Sequence, residues 1–279
     1  MPTPSDLAAL PAVCALPLSC AEPATGSASV RHLEQRSLNA WAAPRSAVMG
    51  DWLLRAAQGY TKRANSANAL QPGTQLTPAL LDAIEAWYAH QGQRCIFRLS
   101  PLADAGVDAL LQSHGYARVE PSLVMQRTAQ AGDSTWQPPA GCTLHMDTQF
   151  SSHWLEGYSQ ANGLSALSVA AHRTILQTTA LPCAYASIRC AGHVCAWGLA
   201  VLERGALGIY DVLVHPQQRR QGRGRVLVQS LLHWGAQHGA SHCDLQVVGT
   251  NATAQQLYRS LGFAPVYGYH YRVQPTAPS

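Results

Sequence analysis

The segment 211–224, DVLVHPQQRRQGRG, restricts the fold more than any other part of the chain. An apolar strand ends in it, an arginine-rich loop follows, and an amphipathic helix begins near Arg223. The first N–H groups of a helix lack internal partners and carry partial positive charge, so a diphosphate can bind them directly. Gly222 and Gly224 allow close approach because they have no β-carbon. The segment predicts an anion site, with a tight turn bearing a solvated basic face as the alternative.

A second helix start lies downstream in GTNATAQQLYRSLGF, residues 249–263. Asn251 opens this helix directly after a strand, and Tyr258 follows two turns later on the same face. Asn251 could be only an N-cap and Tyr258 only a core ring. Together with the upstream loop, the pair favours a cleft between separating parallel strands, which both side chains would face.

Strand and helix signals alternate along the chain, which predicts an α/β fold with helices packed on a sheet. We expect a disordered tail over residues 1–29 and a first domain over 30–127, whose residues 30–49 would be helical. The polar, Pro- and Gly-rich stretch 128–141 is interpreted as a linker. The second domain would occupy residues 142–279.

An internal repeat supports two related domains. LLQSHGYARV (110–119) aligns with LYRSLGFAPV (257–266) at an offset of 147 residues. Each copy places an apolar helix face, a glycine stop, an aromatic residue and a strand in the same order. Any unit of this kind would look similar, but five identities within ten residues favour a shared fold.

Charge is sparse, since charged residues are only 12% of the chain and the net charge is +4. Lys62 is the one lysine, and the densest basic group is Arg219, Arg220, Arg223 and Arg225. Because basic residues form no stripe, we expect a small anionic ligand and no nucleic acid. No run of about 18 apolar residues is present, so no membrane-spanning helix is expected.

The eight cysteines contain no C-x-x-C pair. A chain of this length with a full core does not need disulfides, so we expect reduced thiols in a cytoplasmic protein. Cys190, His193 and Cys195 could be read as metal ligands, but a hairpin carrying small apolar cysteines is favoured. No metal is expected.

VLVHPQQRRQGRGRVLVQSLL and NATAQQLYRSLGF resemble the GCN5-related N-acetyltransferase (GNAT) superfamily in order and spacing, over about residues 142–273. The resemblance implies two tandem GNAT-like domains, each a mixed, mostly antiparallel sheet flanked by helices. It also implies acetyl-CoA as the donor. The N-terminal copy looks degenerate, because Leu111 stands in place of Tyr258, Asp104 in place of Asn251, and PGTQLT (72–77) in place of the glycine loop.

Roles follow residue by residue from the resemblance. Tyr258 would protonate the departing thiolate, which suits a phenol with a pKa near 10. The resemblance places the donor contacts on the strand end, the glycine loop and the second helix start: Val212, Leu213, Val214, Arg219, Arg220, Gln221, Gly222, Arg223, Gly224, Arg225, Asn251 and Ala254.

A general base is also needed to take the proton of the acceptor amine. Asp211 is the candidate, with loop capping or an arginine pair as its alternative role. Gly208 falls near the position of a glutamate found in some family members, and His270 is the runner-up base.

The resemblance implies transfer of an acetyl group to a primary amine of a small molecule or peptide, by a monomer or homodimer. A non-catalytic acyl-CoA sensor and a transferase of another acyl group are the alternatives. Residues considered for the acceptor side are Arg55, Tyr60, Lys62, Arg63, Asn65, His153, Trp154, Glu156, Tyr210, Tyr267, Tyr269 and Tyr271; those between 51 and 68 are favoured as strand surface and turn.

Overall fold

The computed structural model describes residues 27–275. Their helices and strands, in chain order, are α1 (Ser27–Ala40), β1 (Arg45–Met49), β2 (Trp52–Ala56), β3 (Ala67–Ala69), α2 (Pro78–His90), β4 (Ile96–Leu99), α3 (Ala105–Ser113), β5 (Ala117–Thr128), β6 (Cys142–Asp147), α4 (Ser152–Asn162), α5 (Ala166–Thr178), β7 (Cys183–Cys190), β8 (His193–Glu203), β9 (Ala206–Val214), α6 (Arg223–Gln237), β10 (His242–Val248), α7 (Ala252–Ser260) and β11 (Ala264–Val273).

All eleven strands form one sheet, in the order β1-β2-β3-β4-β11-β5-β10-β9-β8-β7-β6. Neighbours are antiparallel except for two parallel pairs, β3 with β4 and β9 with β10. The α/β class is therefore confirmed, as are the flanking helices. The expectation of a separate sheet in each half differs from the structure, in which a single sheet runs through both.

The sheet is continuous because the two halves exchange their last strands. β5, from the first half, pairs with β10 and β11, while β11, from the second half, pairs with β4 and β5. Ala117 pairs with Val273 and Gln126 pairs with Ala264. Since the sequence offset of 147 relates 117 to 264 and 126 to 273, the β5·β11 seam is a local two-fold between the repeats.

Local signals explain most element boundaries. Thr77 caps α2, its hydroxyl accepting from the Leu80 N–H, and Pro78 occupies the first helical position. α4 ends at Gly163, whose φ of 65° is left-handed. The helix expected over 30–49 ends instead at Ala40, because β1 follows it and pairs with β2.

The predicted tail of residues 1–29 lies outside the described residues up to position 26. Its last three residues form the start of α1. This helix covers the central seam, where Leu33 packs with Val124, Tyr267 and Tyr271 from β5 and β11. Packing of α1 against β5 and β11 therefore stabilises this segment as a helix.

Helices cover both faces of the second half of the sheet. α6 buries Leu227 and Leu231 in a cluster with Leu207 of β9 and Leu245 of β10. On the other face, α4 and α5 contribute Trp154 and Ile175. None of the helices between residues 27 and 275 has the length and apolar character that a bilayer crossing requires.

Two of the cysteines are oxidised, whereas the sequence led us to expect only reduced thiols. Cys142 at the end strand β6 and Cys190 on β7 are directly opposite in register and form a disulfide. Cys190 and Cys195 do lie on the two strands of a β7–β8 hairpin, as the sequence predicted. No group of three metal-ligating side chains occurs within the described range, Cys190, His193 and Cys195 included.

Candidate functional site

The β9–β10 pair separates halfway along its length. Its parallel register ends at Leu245 and Ile209. In the same place β9 carries a bulge against β8, because Leu199 pairs with Tyr210 but Trp197 pairs with Leu213. The bulged segment of β9 contains Asp211, whose φ of 49° is left-handed. The bulge turns the end of β9 away from β10 and leaves an open cleft between the two strands.

The Asp211 carboxylate lies at this cleft and is held by two donors. Its Oδ2 is 2.9 Å from Nε2 of His172, and its Oδ1 accepts from the Tyr158 hydroxyl at 3.2 Å. The Asp211 side chain is only 10% exposed, while the His172 side chain is fully buried. Burial, and after it the Asp211 charge, raise the pKa of both Tyr158 and Tyr60. Both phenols therefore stay protonated, and that of Tyr158 donates to the carboxylate.

A cavity of about 1310 Å³ runs along the cleft. It reaches from the loop before α6, past the separated ends of β9 and β10, to side chains of the first half. Every donor-site residue named from the sequence, apart from Gln221, lines it, as do both predicted catalytic residues; in chain order these are Asp211, Val212, Leu213, Val214, Arg219, Arg220, Gly222, Arg223, Gly224, Arg225, Asn251, Ala254 and Tyr258.

The α6 N-terminus opens onto this cavity without a side-chain cap. Gly222 stands before the helix with a φ of 75°, and no atom lies within 4 Å of where its β-carbon would be. A β-carbon on Gly224 would lie 3.2 Å from the Leu257 side chain. The free N–H groups at this end of a 15-residue helix suit an anion, and the space in front of them is open.

The loop arginines are partly tied to the protein. Arg225 donates to the Ser260 hydroxyl at 2.6 Å, and Arg219 donates to the Val214 carbonyl at 3.4 Å. Arg223 donates from Nη1 to Cys142 Sγ at 3.1 Å, while its buried Nε has no partner in the described chain. These contacts hold positive charge around the helix start.

The second helix start faces the same cavity. Asn251 is the N-cap of α7 and accepts from the Ala254 N–H at 3.1 Å, so the capping role considered for it is present. Tyr258 is 6% exposed, and no residue between 27 and 275 hydrogen-bonds its hydroxyl. Burial raises the pKa of Tyr258 to about 12. The phenol is therefore an unengaged proton donor at neutral pH.

The first half forms the other end of the cavity, through Trp41, Tyr60, Lys62 and Arg63. The sequence favoured strand surface and turn for residues 51–68; Lys62–Ala64 do form a turn, and Tyr60, Lys62 and Arg63 also line the cavity. The 3-10 turn Lys62–Ala64 projects into the cleft because Asn65 holds the preceding loop, bonding the N–H groups of Ala57 and Gly59.

Several residues at or behind the cavity could not be recognised from the sequence. His172 sits on the apolar face of α5 beside Ile175, where the pattern indicates only core packing. Trp41 and Tyr158 also look like core aromatics, and Gln246 follows the buried strand residue Leu245. Only the tertiary structure brings His172 and Tyr158 to Asp211, and Trp41 and Gln246 to the cavity.

Other candidates lie elsewhere. His270 contacts Asp108 at 2.8 Å and does not line the cavity, so the runner-up base is not at the site. His153 and Trp154 line a separate cavity of about 360 Å³, and Glu156 lines neither. Arg55 is buried, with its guanidinium on backbone carbonyls.

The aromatic residues of the final strand separate into two groups. Tyr269 and Tyr271 line the large cavity, whereas Tyr267 donates to Glu34. At Gly208 a β-carbon would lie 2.7 Å from the Tyr210 ring. The ring of Tyr210 therefore occupies the space that a side chain at position 208 would need.

Comparison with known proteins agrees with this architecture. The family model described as "Probable histone acetyltransferase Rv0428c C-terminal" matches residues 27–272. The uncharacterised N-acetyltransferase YobR of Bacillus subtilis is 27% identical over 248 residues, which are 88% of this chain and 98% of YobR.

Two solved structures share the fold at low sequence identity. A GCN5-related N-acetyltransferase from Kribbella flavida superposes with a TM-score of 0.67 at 20% identity, covering 91% of this chain and 98% of that one. A tandem GNAT protein from the clavulanic acid biosynthesis pathway gives 0.62 at 15% identity, covering 88% of each chain. The chain therefore belongs to the "Probable histone acetyltransferase Rv0428c C-terminal" family and is an N-acetyltransferase of the GNAT superfamily.

Proposed function

We propose that this N-acetyltransferase moves the acetyl group of acetyl-CoA to a primary amine by direct attack of the amine on the thioester. The observation that carries the proposal is that one cavity joins the uncapped α6 N-terminus to Asp211 and Tyr258. An anion-binding helix end, a base and an acid are the three groups that this reaction needs.

The donor would lie in the cleft between β9 and β10. Residues 212–214 lie beyond the last β9–β10 pair, so this edge of β9 is free to bond the amide groups of pantetheine. Gly222, Gly224 and the loop arginines would hold the pyrophosphate. Asn251 and Ala254, at the start of α7, would flank the pantetheine arm.

Asp211 is the proposed general base. An aliphatic amine with a pKa near 10.4 is almost fully protonated at pH 7, and neutralising it takes about 4.6 kcal/mol. Asp211 faces the cavity and would accept that proton, directly or through one water. The donors His172 and Tyr158 hold the carboxylate in one orientation.

Tyr258 is the proposed acid at the other side of the reaction. Its protonated, unengaged phenol would donate to the thiolate as the C–S bond breaks. A backbone N–H at the end of β9 would donate to the carbonyl oxygen as negative charge develops on it. No protein nucleophile takes part.

We further propose that residues 30–127 and 142–279 are two tandem GNAT-like units, joined by the 128–141 segment, of which only the second holds the donor. The helix in the first unit that corresponds to α6 is α2. Thr77 caps α2 and Pro78 contributes no N–H, so its N-terminus has little left to offer a diphosphate.

The test is CoA release from acetyl-, succinyl- and longer acyl-CoA against a panel of amines, including amino acids, polyamines, amino sugars and lysine peptides, with binding measured by calorimetry. We expect acetyl-CoA to bind and to turn over with some of these amines. Binding without turnover on any amine would favour an acyl-CoA sensor, and preference for another acyl-CoA would change the donor. Acetyl-CoA that does not bind would overturn the proposal.

A further inference from the structure

We infer that the acceptor amine carries a carboxylate and that Arg63 binds it, which makes amino acids the substrate class. This inference rests on the proposed function. Its starting observation is a guanidinium that lines the cavity on the first-half side and has no acidic partner in the described part of the chain.

Arg63 is held in place on one edge only. Its Nε donates to Gln246 Oε1 at 3.2 Å, and its Cζ lies 5.5 Å from the ring centres of both Trp41 and Tyr210. Gln246 is itself fixed, because Tyr269 donates to the same oxygen and the Gln246 amide donates to Ser37. No hydrogen bond engages Nη1 or Nη2 of Arg63 from residues 27–275, so these two nitrogens keep their N–H groups for a ligand of the cavity that Arg63 lines.

The charge around Arg63 also favours an anion. Arg55 is buried with its guanidinium bonded to backbone carbonyls, and Arg98 is paired with Glu34. Arg55 and Arg63 therefore have no carboxylate partner within the described residues. Because uncompensated charge in a partly buried site is unfavourable, a carboxylate in a bidentate pair with Arg63 would stabilise it.

Arg63 is also close enough to the proposed base for a small substrate to reach both. The Arg63 Cζ and the His172 ring each lie 5.5 Å from the Trp41 ring, so they are no more than twice that distance apart. His172 is in turn bonded to Asp211. Arg63 and Asp211 therefore line the same end of the cavity, and the α- and ω-amino acid series below measures which spacing between carboxylate and amine fits both.

The experiment compares matched acceptors with the full-length chain. The kcat/KM for CoA release is measured for a series of α- and ω-amino acids, for their carboxamides and for the amines that lack the carboxylate. We expect the wild type to prefer carboxylates by at least about tenfold, as a charge-assisted hydrogen bond allows. Arg63→Met should lower kcat/KM for the carboxylates by more than for the matched carboxamides, so that this preference is lost. Arg63→Lys should retain part of it.

Arg94→Met is the matched control, because Arg94 is exposed and lies outside the cavity while the change in charge and size is the same. It should retain the wild-type preference. Thermal melts and acetyl-CoA affinity show whether the Arg63 variants are folded. Equal loss for carboxylates and carboxamides in both Arg63 variants would assign Arg63 to the reaction itself and overturn the inference.

The two levels of the proposal fail separately. A wild type that acetylates carboxamides, simple amines or lysine peptides as well as amino acids overturns the substrate class while the proposed function stands. A chain that binds acetyl-CoA but turns over no amine overturns the proposed function, and the inference with it.

Discussion

Nε2 of His172 lies 2.9 Å from the Asp211 carboxylate, inside the bulge that separates β9 from β10. The bulge and the positive φ of Asp211 direct a strand residue into the cleft, and the buried imidazole fixes its orientation. The same irregularity thus opens the proposed donor site and positions the proposed base, so one feature of the backbone would serve both parts of the proposed reaction.

Asp211→Asn should lower kcat by about 100-fold, because the variant cannot take the ammonium proton. In a saturated complex the wild-type kcat should vary little between pH 7 and 9. In the variant it should rise about tenfold per pH unit, since the amine must then lose its proton unaided. His172→Gln can still donate a hydrogen bond to Asp211, so its kcat should fall by less than that of Asp211→Asn. An unchanged pH profile in Asp211→Asn would remove this residue as the base.

Tyr258→Phe should lower kcat by about 100-fold while the Kd for acetyl-CoA stays within about twofold. The reason is that the hydroxyl has no protein partner in residues 27–275 and the ring packing with Phe263 is retained. Because burial raises the pKa of Tyr258 to about 12, the acid form persists as pH rises and is lost only near that value. A fall of the wild-type kcat near pH 10 that is absent in Tyr258→Phe would contradict this assignment.

Much of the fold could be predicted because the signals are local. The cap at Thr77, the Gly163 stop and the apolar face of α6 each depend on a few neighbouring residues. The loop before α6 was readable for the same reason. The cavity residues proposed for the donor are therefore largely those that the sequence singles out.

The rest depends on contacts between distant segments. β5 and β11 read as ordinary strands, and nothing in either sequence indicates that they change places between the halves. His172 and Trp41 reach the cleft from α5 and from the end of α1, so their role becomes visible only when the chain is packed. The side of the cavity proposed for the acceptor is likewise formed by residues that only the packed chain brings together.

Gly222→Ala tests the approach to the α6 N-terminus. Alanine at a φ of 75° should lower the free energy of unfolding by about 1–2 kcal/mol, and its methyl group would stand where the pyrophosphate is expected. We predict an acetyl-CoA affinity at least about tenfold weaker, measured by calorimetry. Gly192→Ala is the control, with a φ of 83°, open space and a hairpin position outside the cavity. Equal acetyl-CoA affinity in both variants would argue against this anion site.

The Cys142–Cys190 disulfide closes a loop with a sequence separation of 48 and ties the end strand β6 to β7. Replacing both cysteines by serine should lower the free energy of unfolding by about 2–4 kcal/mol, through the larger entropy of the unfolded chain. Denaturant titration of the wild type in reducing buffer should give the same loss, and the double variant should be insensitive to reductant. A wild type equally stable with and without reductant would support the reduced thiols that the sequence suggested.

The strand exchange makes a prediction about autonomy. A fragment of residues 27–127 leaves β4 without β11 and β5 without both of its neighbours. A fragment of residues 142–275 likewise leaves β10 and β11 without β5. Each would expose long unpaired strand edges and the apolar seam under α1, so neither should show cooperative unfolding alone.

The control is the full chain with a protease site inserted among the exposed residues between 137 and 141. After cleavage the two pieces should stay associated and keep the wild-type melting transition, because pairing of β5 with β10 and β11 does not require the connection. Folding would be followed by circular dichroism and size by light scattering. A 27–127 fragment that melts cooperatively as a monomer would show that the first half is an independent domain, and that it does not need the exchanged strand to fold.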